Sequence, residues 1–227
     1  MELETRPVPQ SDAVPPSENT AVFRAAWTMV QQLIRQGKPV FLAIDGRCGS
    51  GKTWLAAWLR TAFDCGVVHM DDFYLPPNKR GKNWRENPGG NLDFERLRRE
   101  AILPLQAGEP ACFRPFDCRK GRLGEETRLP PHGVTIVEGS YSMHPALAGC
   151  YAKTLFLTCS KEEQTRRLRA REGERFRTFQ ELWIPLEERY FRQYGIEKAS
   201  DLVLNTGPLG EDGTTESEHQ VQKENVT

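Results

Sequence analysis

Residues 39–53, PVFLAIDGRCGSGKT, carry a short apolar run straight into a glycine-rich stretch that ends in Lys52 and Thr53. PVFLAID is too short for a helix of its own and reads as a buried strand. GRCGSGKT, residues 46–53, satisfies G-x-x-x-x-G-K-[ST], and TWLAAWLRTAF behind it has helical spacing. Gly46, Gly49 and Gly51, with Cys48 and Ser50 between them, let the backbone curl so that successive amide hydrogens turn inward at the positive end of that helix. Lys52 then offers a cation to terminal phosphates, and the Thr53 hydroxyl can ligate magnesium. The pattern predicts a nucleoside triphosphate site.

Four more apolar runs, GVVHM, GVTIVEG, AKTLFLTC and DLVLN, read as buried strands, and helical patterns such as DFERLRREAILPLQ and KEEQTRRLRARE separate most of them. The architecture that follows is α/β, a mostly parallel sheet of about five strands with helices on both faces. Ligands of such sheets bind beyond the carboxyl ends of the strands. Ahead of the first strand, Val22, Phe23, Ala26, Trp27, Val30, Leu33 and Ile34 form one helical stripe that Gly37 and Pro39 end. ACFRPFDCRKGRLGEETRLPP, from residue 111, admits a hairpin or an extended substrate-side segment. Residues 1–19 and 207–227 are polar and poor in aromatics, which predicts disordered tails around one domain over 20–206.

Lys plus Arg equals Asp plus Glu at 31 each, so no global charge draws the chain to nucleic acid or an anionic membrane. No apolar run approaches the roughly 20 residues of a membrane span, and the amino end lacks a secretory pattern, so a cytoplasmic location is expected. The six cysteines are scattered without metal spacing and read as free thiols.

Carboxylates should complete the site. Glu138 ends the run GVTIVEG and suits a magnesium ligand, because a hard cation takes oxygen donors. In VVHMDDFYLPP, residues 67–77, Asp71 and Asp72 follow the second strand directly. If the extended conformation persists, their side chains point to opposite faces and only one of them meets the phosphates.

Taken in order, GRCGSGKT, MDDFYLP and TIVEGSYSMHP resemble the uridine kinase group of the phosphoribulokinase, uridine kinase and pantothenate kinase family, across most of residues 39–206. The resemblance implies a three-layer P-loop NTPase fold using ATP and Mg2+. It implies that Asp71 is the base for an acceptor hydroxyl and lies near the metal with Thr53 and Glu138. ERFRTFQELW resembles the family's arginine-bearing lid, here about 165–194, onto which Arg175 and Arg177 map; with Arg171 of the same basic stretch they are expected to clamp the moving phosphoryl group. Glu86 and the pair Phe116 and Asp117 stand nearest to the family's nucleoside-binding segments, and Tyr74 and Phe116 could stack on a planar base.

The expected activity is ATP-dependent phosphorylation of a small-molecule hydroxyl, with a nucleoside-like acceptor leading. Alternatives are a kinase for a non-nucleoside acceptor such as pantothenate or a sugar, and, from another class, a nucleotide-binding switch or scaffold. Neither a nucleic-acid nor a membrane partner is expected, and a homo-oligomer is left open.

Overall fold

The computed structural model describes residues 20–207, so the tails expected at 1–19 and from 207 onward lie outside the described residues, apart from Gly207. Helix α1 (Thr20–Ile34) leads to strand β1 (Val40–Gly46), helix α2 (Lys52–Phe63) and strand β2 (Gly66–His69). Two helical turns, α3 (Phe94–Leu97) and α4 (Leu103–Gln106), precede the short strands β3 (Ala111–Phe113), β4 (Phe116–Asp117), β5 (Arg122–Leu123) and β6 (Thr127–Leu129). The chain then runs through β7 (Val134–Glu138), β8 (Lys153–Thr158), α5 (Lys161–Glu172), α6 (Phe176–Thr178), α7 (Ile184–Tyr194), α8 (Ile196–Ala199) and β9 (Leu202–Asn205).

The five apolar runs form one parallel sheet in the order β2-β7-β1-β8-β9. Alternation along β1 sends Phe41 into one core with Val68, Val137, Phe156, Leu97, Ile102 and Tyr190. Leu42 and Ile44 enter the other core, against Phe23, Val30 and Leu33 of α1 and Leu55 and Leu59 of α2. Each fully buried aliphatic or aromatic side chain contributes roughly 1.5–3 kcal/mol, so both helical layers are held by apolar burial. The result is the three-layer α/β sandwich expected from the sequence. On α1 the predicted stripe is realised by Phe23, Ala26, Val30 and Leu33, while Ile34 at the helix end is 41% exposed.

Register brings the working ends of the strands together. Ile44 and His69 both stand opposite Glu138, and Gly46 stands opposite Leu157. At Gly46, with φ of 135°, a Cβ would lie 2.0 Å from the carbonyl oxygen of Leu157, so only glycine lets β1 turn off the sheet there.

Residues 70–133, between β2 and β7, carry most of what the sequence left undecided. The stretch from residue 111 is two antiparallel pairs, β4 with β5 lying inside β3 with β6. The acid doublet is not extended. Strand β2 stops at His69, and Met70–Phe73 form a 3-10 turn, so the period-two argument that separates Asp71 from Asp72 does not apply. Residues 75–91 then loop out, closed at the neck by Leu75 N–H on the Asn91 carbonyl and by the bridge between Tyr74 and Leu92.

Candidate active site

The loop from Gly46 to Thr53 curls as its glycines require, with φ of 135°, 81° and 97° at Gly46, Gly49 and Gly51. Its amides fall into two groups. Gly46 N–H is taken by its neighbour's carboxylate, Arg47 N–H by Leu157 O and Ser50 N–H by Arg47 O. Those of Gly49, Gly51, Lys52 and Thr53 have no acceptor among the described residues. Four free donors at the amino end of a 12-residue helix make a cradle for an anion. Lys52 Nζ reaches back over the loop to the carbonyls of Gly46 at 2.6 Å and Arg47 at 3.1 Å.

Beside the cradle, the Thr53 hydroxyl donates to Glu138 at 3.1 and 3.2 Å from its two oxygens. On the other side of Glu138, His69 Nδ1 lies 2.5 Å from Oε1. Burial works to raise the Glu138 pKa. The His69 hydrogen bond and charge, the Lys52 ammonium and the Thr53 hydroxyl outweigh it and hold the group below the ordinary glutamate value. Among the described residues no cluster of three or more His, Cys, Asp or Glu could cage a metal. A hydroxyl and a carboxylate side by side still suit magnesium, which keeps waters and phosphate oxygens as its remaining ligands.

Asp71 sits two residues beyond His69 in the 3-10 turn, exposed, and its carboxylate accepts the Tyr74 hydroxyl at 3.0 Å. The turn is braced from below by Arg96, which donates to the carbonyls of Asp72 and Arg114, both at 2.7 Å. Phe116 is buried in the small hairpin, and Asp117 holds the turn amides of Arg119 and Lys120 at 2.9 and 3.0 Å. Glu86 lies exposed in the 75–91 loop, its carbonyl accepting from Arg189 at 3.2 Å. The tip of that loop meets the segment 165–194, where the rings of Trp84 and Trp183 lie 5.9 Å apart.

The three arginines expected in a lid are engaged locally. Arg171 pairs with Glu172 at 2.7 Å, Arg175 with Glu172 at 3.0 Å and Arg177 with Glu181 at 2.7 Å. Helix α7 does the opposite and grips the phosphate loop directly. Glu188 takes the Arg47 guanidinium at 2.7 Å, and Glu187 accepts Cys48 N–H at 2.9 Å. Tyr190 donates to Asp45 Oδ2 at 2.7 Å, where Met143 N–H also arrives at 2.9 Å. Asp45 is fully buried, and desolvation lifts its pKa to about 6 against the pull of those donors and of Lys52.

Three of these groups, Asp45, His69 and Glu187, were not singled out by sequence reasoning. Asp45 alone had a local signal, a carboxylate closing an otherwise apolar strand. His69 and Glu187 find their partners 69 and 139 residues away along the chain.

No protein-family model matches the chain. Among solved structures, a possible uridine kinase from Bacillus stearothermophilus superposes with a TM-score of 0.59 at 19% identity, over 79% of this chain and 99% of its own. A fructose transport system kinase candidate from Silicibacter sp. TM1040 gives 0.61 at 21% identity, over 79% and 97%. The chain shares the fold of these two structures. The YGR205w protein agrees in fold with a TM-score of 0.53 at 15% identity, over 85% and 95%. Identities this low establish the fold alone, and the activity and acceptor rest on the chain's own chemistry.

Proposed function

We propose that residues 20–206 form a kinase unit that transfers the terminal phosphoryl group of ATP to a hydroxyl of a small molecule, with a nucleoside-like acceptor leading. The observation that carries this reading is the convergence at the carboxyl ends of adjacent strands. Four free loop amides, Lys52 and the Thr53–Glu138 pair lie together, and Asp71 follows the strand paired with that of Glu138.

In this reading the loop amides and Lys52 hold the phosphates, and Thr53 and Glu138 hold magnesium, which would neutralise charge on the phosphate oxygens. Asp71 accepts the acceptor's hydroxyl proton, with Tyr74 fixing the orientation of its carboxylate. Residues 165–194 act as the lid. To meet the moving phosphoryl, Arg171, Arg175 and Arg177 exchange the glutamates they now pair with for phosphate oxygens. Phosphoryl transfer needs little covalent chemistry from the protein, so positioned charges suffice.

Asp71→Asn tests the assignment. Nucleotide affinity should stay within about twofold while turnover falls by about 10² to 10⁴, the usual contribution of a positioned base. Unchanged turnover with the acceptor would remove Asp71 from the role.

A further inference from the structure

Glu187 occupies a telling place on the phosphate loop. The residue is 6% exposed, and its carboxylate takes Cys48 N–H at 2.9 Å and the Ser140 hydroxyl at 2.5 Å. Cys48 borders the cradle of free amides at the end remote from helix α2. In the kinase reading, a polyphosphate whose inner groups settled on the amides of Lys52 and Thr53 would extend its last group along the loop toward Cys48. A carboxylate and a phosphate compete for the same kind of donor, and placed together with little water between them they repel.

We propose that Glu187 is a specificity-determining residue that sets the balance between nucleoside di- and triphosphates. A diphosphate fills the cradle without meeting it. The terminal phosphate of a triphosphate must displace it from the Cys48 amide or share the space with it. The opposition acts only while the terminal phosphate is present and disappears once that group has passed to the acceptor. Because α7 also grips the loop through Glu188 on Arg47 and Tyr190 on Asp45, displacement of Glu187 is felt by the helix that closes the lid segment.

The inference rests on the kinase reading, and its test separates the two. The full chain and Glu187→Gln are titrated with Mg-ATP and with Mg-ADP in the absence of acceptor. Glutamine keeps the size of the side chain and an oxygen for the Cys48 amide but removes the charge. The ratio of ATP to ADP affinity should rise at least about fivefold, chiefly through tighter ATP. Ser140→Ala, which removes only the second anchor of Glu187, should raise the same ratio to a lesser degree and serves if Glu187→Gln fails to fold. A ratio that is unchanged or lowered, or a parallel change for both nucleotides, overturns the proposal. If neither nucleotide binds the wild-type chain, the kinase reading falls and takes this assignment with it.

Discussion

Asp45 shows what a single residue contributes when the fold buries it. Strand alternation turns its side chain toward α7, and three donors, from Gly46, Met143 and Tyr190, partly replace the water it has lost. Desolvation still dominates, and the group holds its proton to about pH 6 rather than 3.8. A raised folded-state pKa contributes stability that is complete below the unfolded value and is lost as pH rises through the folded one. A shift of that size corresponds to about 3 kcal/mol, lost between about pH 4 and 6. Urea midpoints of wild type and Asp45→Asn, measured from pH 4.5 to 8, should therefore move in the variant's favour as pH rises to about 7. A gap that stays constant with pH would show that Asp45 does not titrate as described. At this scale the sequence was informative wherever a residue's partner is its own backbone. The loop glycines, Lys52 and Thr53 follow from a motif whose geometry is local. The Asp71 and Asp72 doublet was legible as a site but not as a geometry, because the strand ends at His69, before either acid.

Helix α7 carries the corresponding argument at the level of an element. Its core-facing side buries Leu186, Glu187, Tyr190 and Phe191, with Glu188 beside them. The structure adds that polar groups on that side bind three residues of the loop region, 45, 47 and 48. Tyr190→Phe deletes one hydroxyl and leaves Asp45 short of a donor. The expected cost is about 1–3 kcal/mol of stability at pH 7, because an unmet buried carboxylate loses more than the net value of one hydrogen bond. Chemical denaturation at pH 7 measures it, and the cost should shrink at pH 5, where Asp45 is largely protonated. An equal cost at both values would place the loss in packing instead. The five sheet strands were legible because each is an apolar run with helical patterns between most of them. The four small strands were not, since two or three residues are too few to establish a period.

Across the whole molecule, the parallel order β2-β7-β1-β8-β9 brings the glycine loop, Glu138 and the turn bearing Asp71 together at the carboxyl ends of the strands from segments far apart in sequence. The segment 165–194 and the 75–91 loop meet through Trp84 and Trp183. That arrangement favours a chain that encloses a small acceptor over one that only reports the state of its nucleotide. The central claim is coupling between nucleotide and acceptor, and ADP release measures it directly. Purified full chain with Mg-ATP is assayed against panels of nucleosides, vitamins and sugars, in wild type and in Asp71→Asn. At least one acceptor should raise ADP release by tenfold or more (on the order of the contribution of a positioned base) in wild type, and the rise should vanish in Asp71→Asn while ATP still binds. ATP binding with no acceptor-dependent release across the panel, or a full rise in Asp71→Asn, would contradict the account.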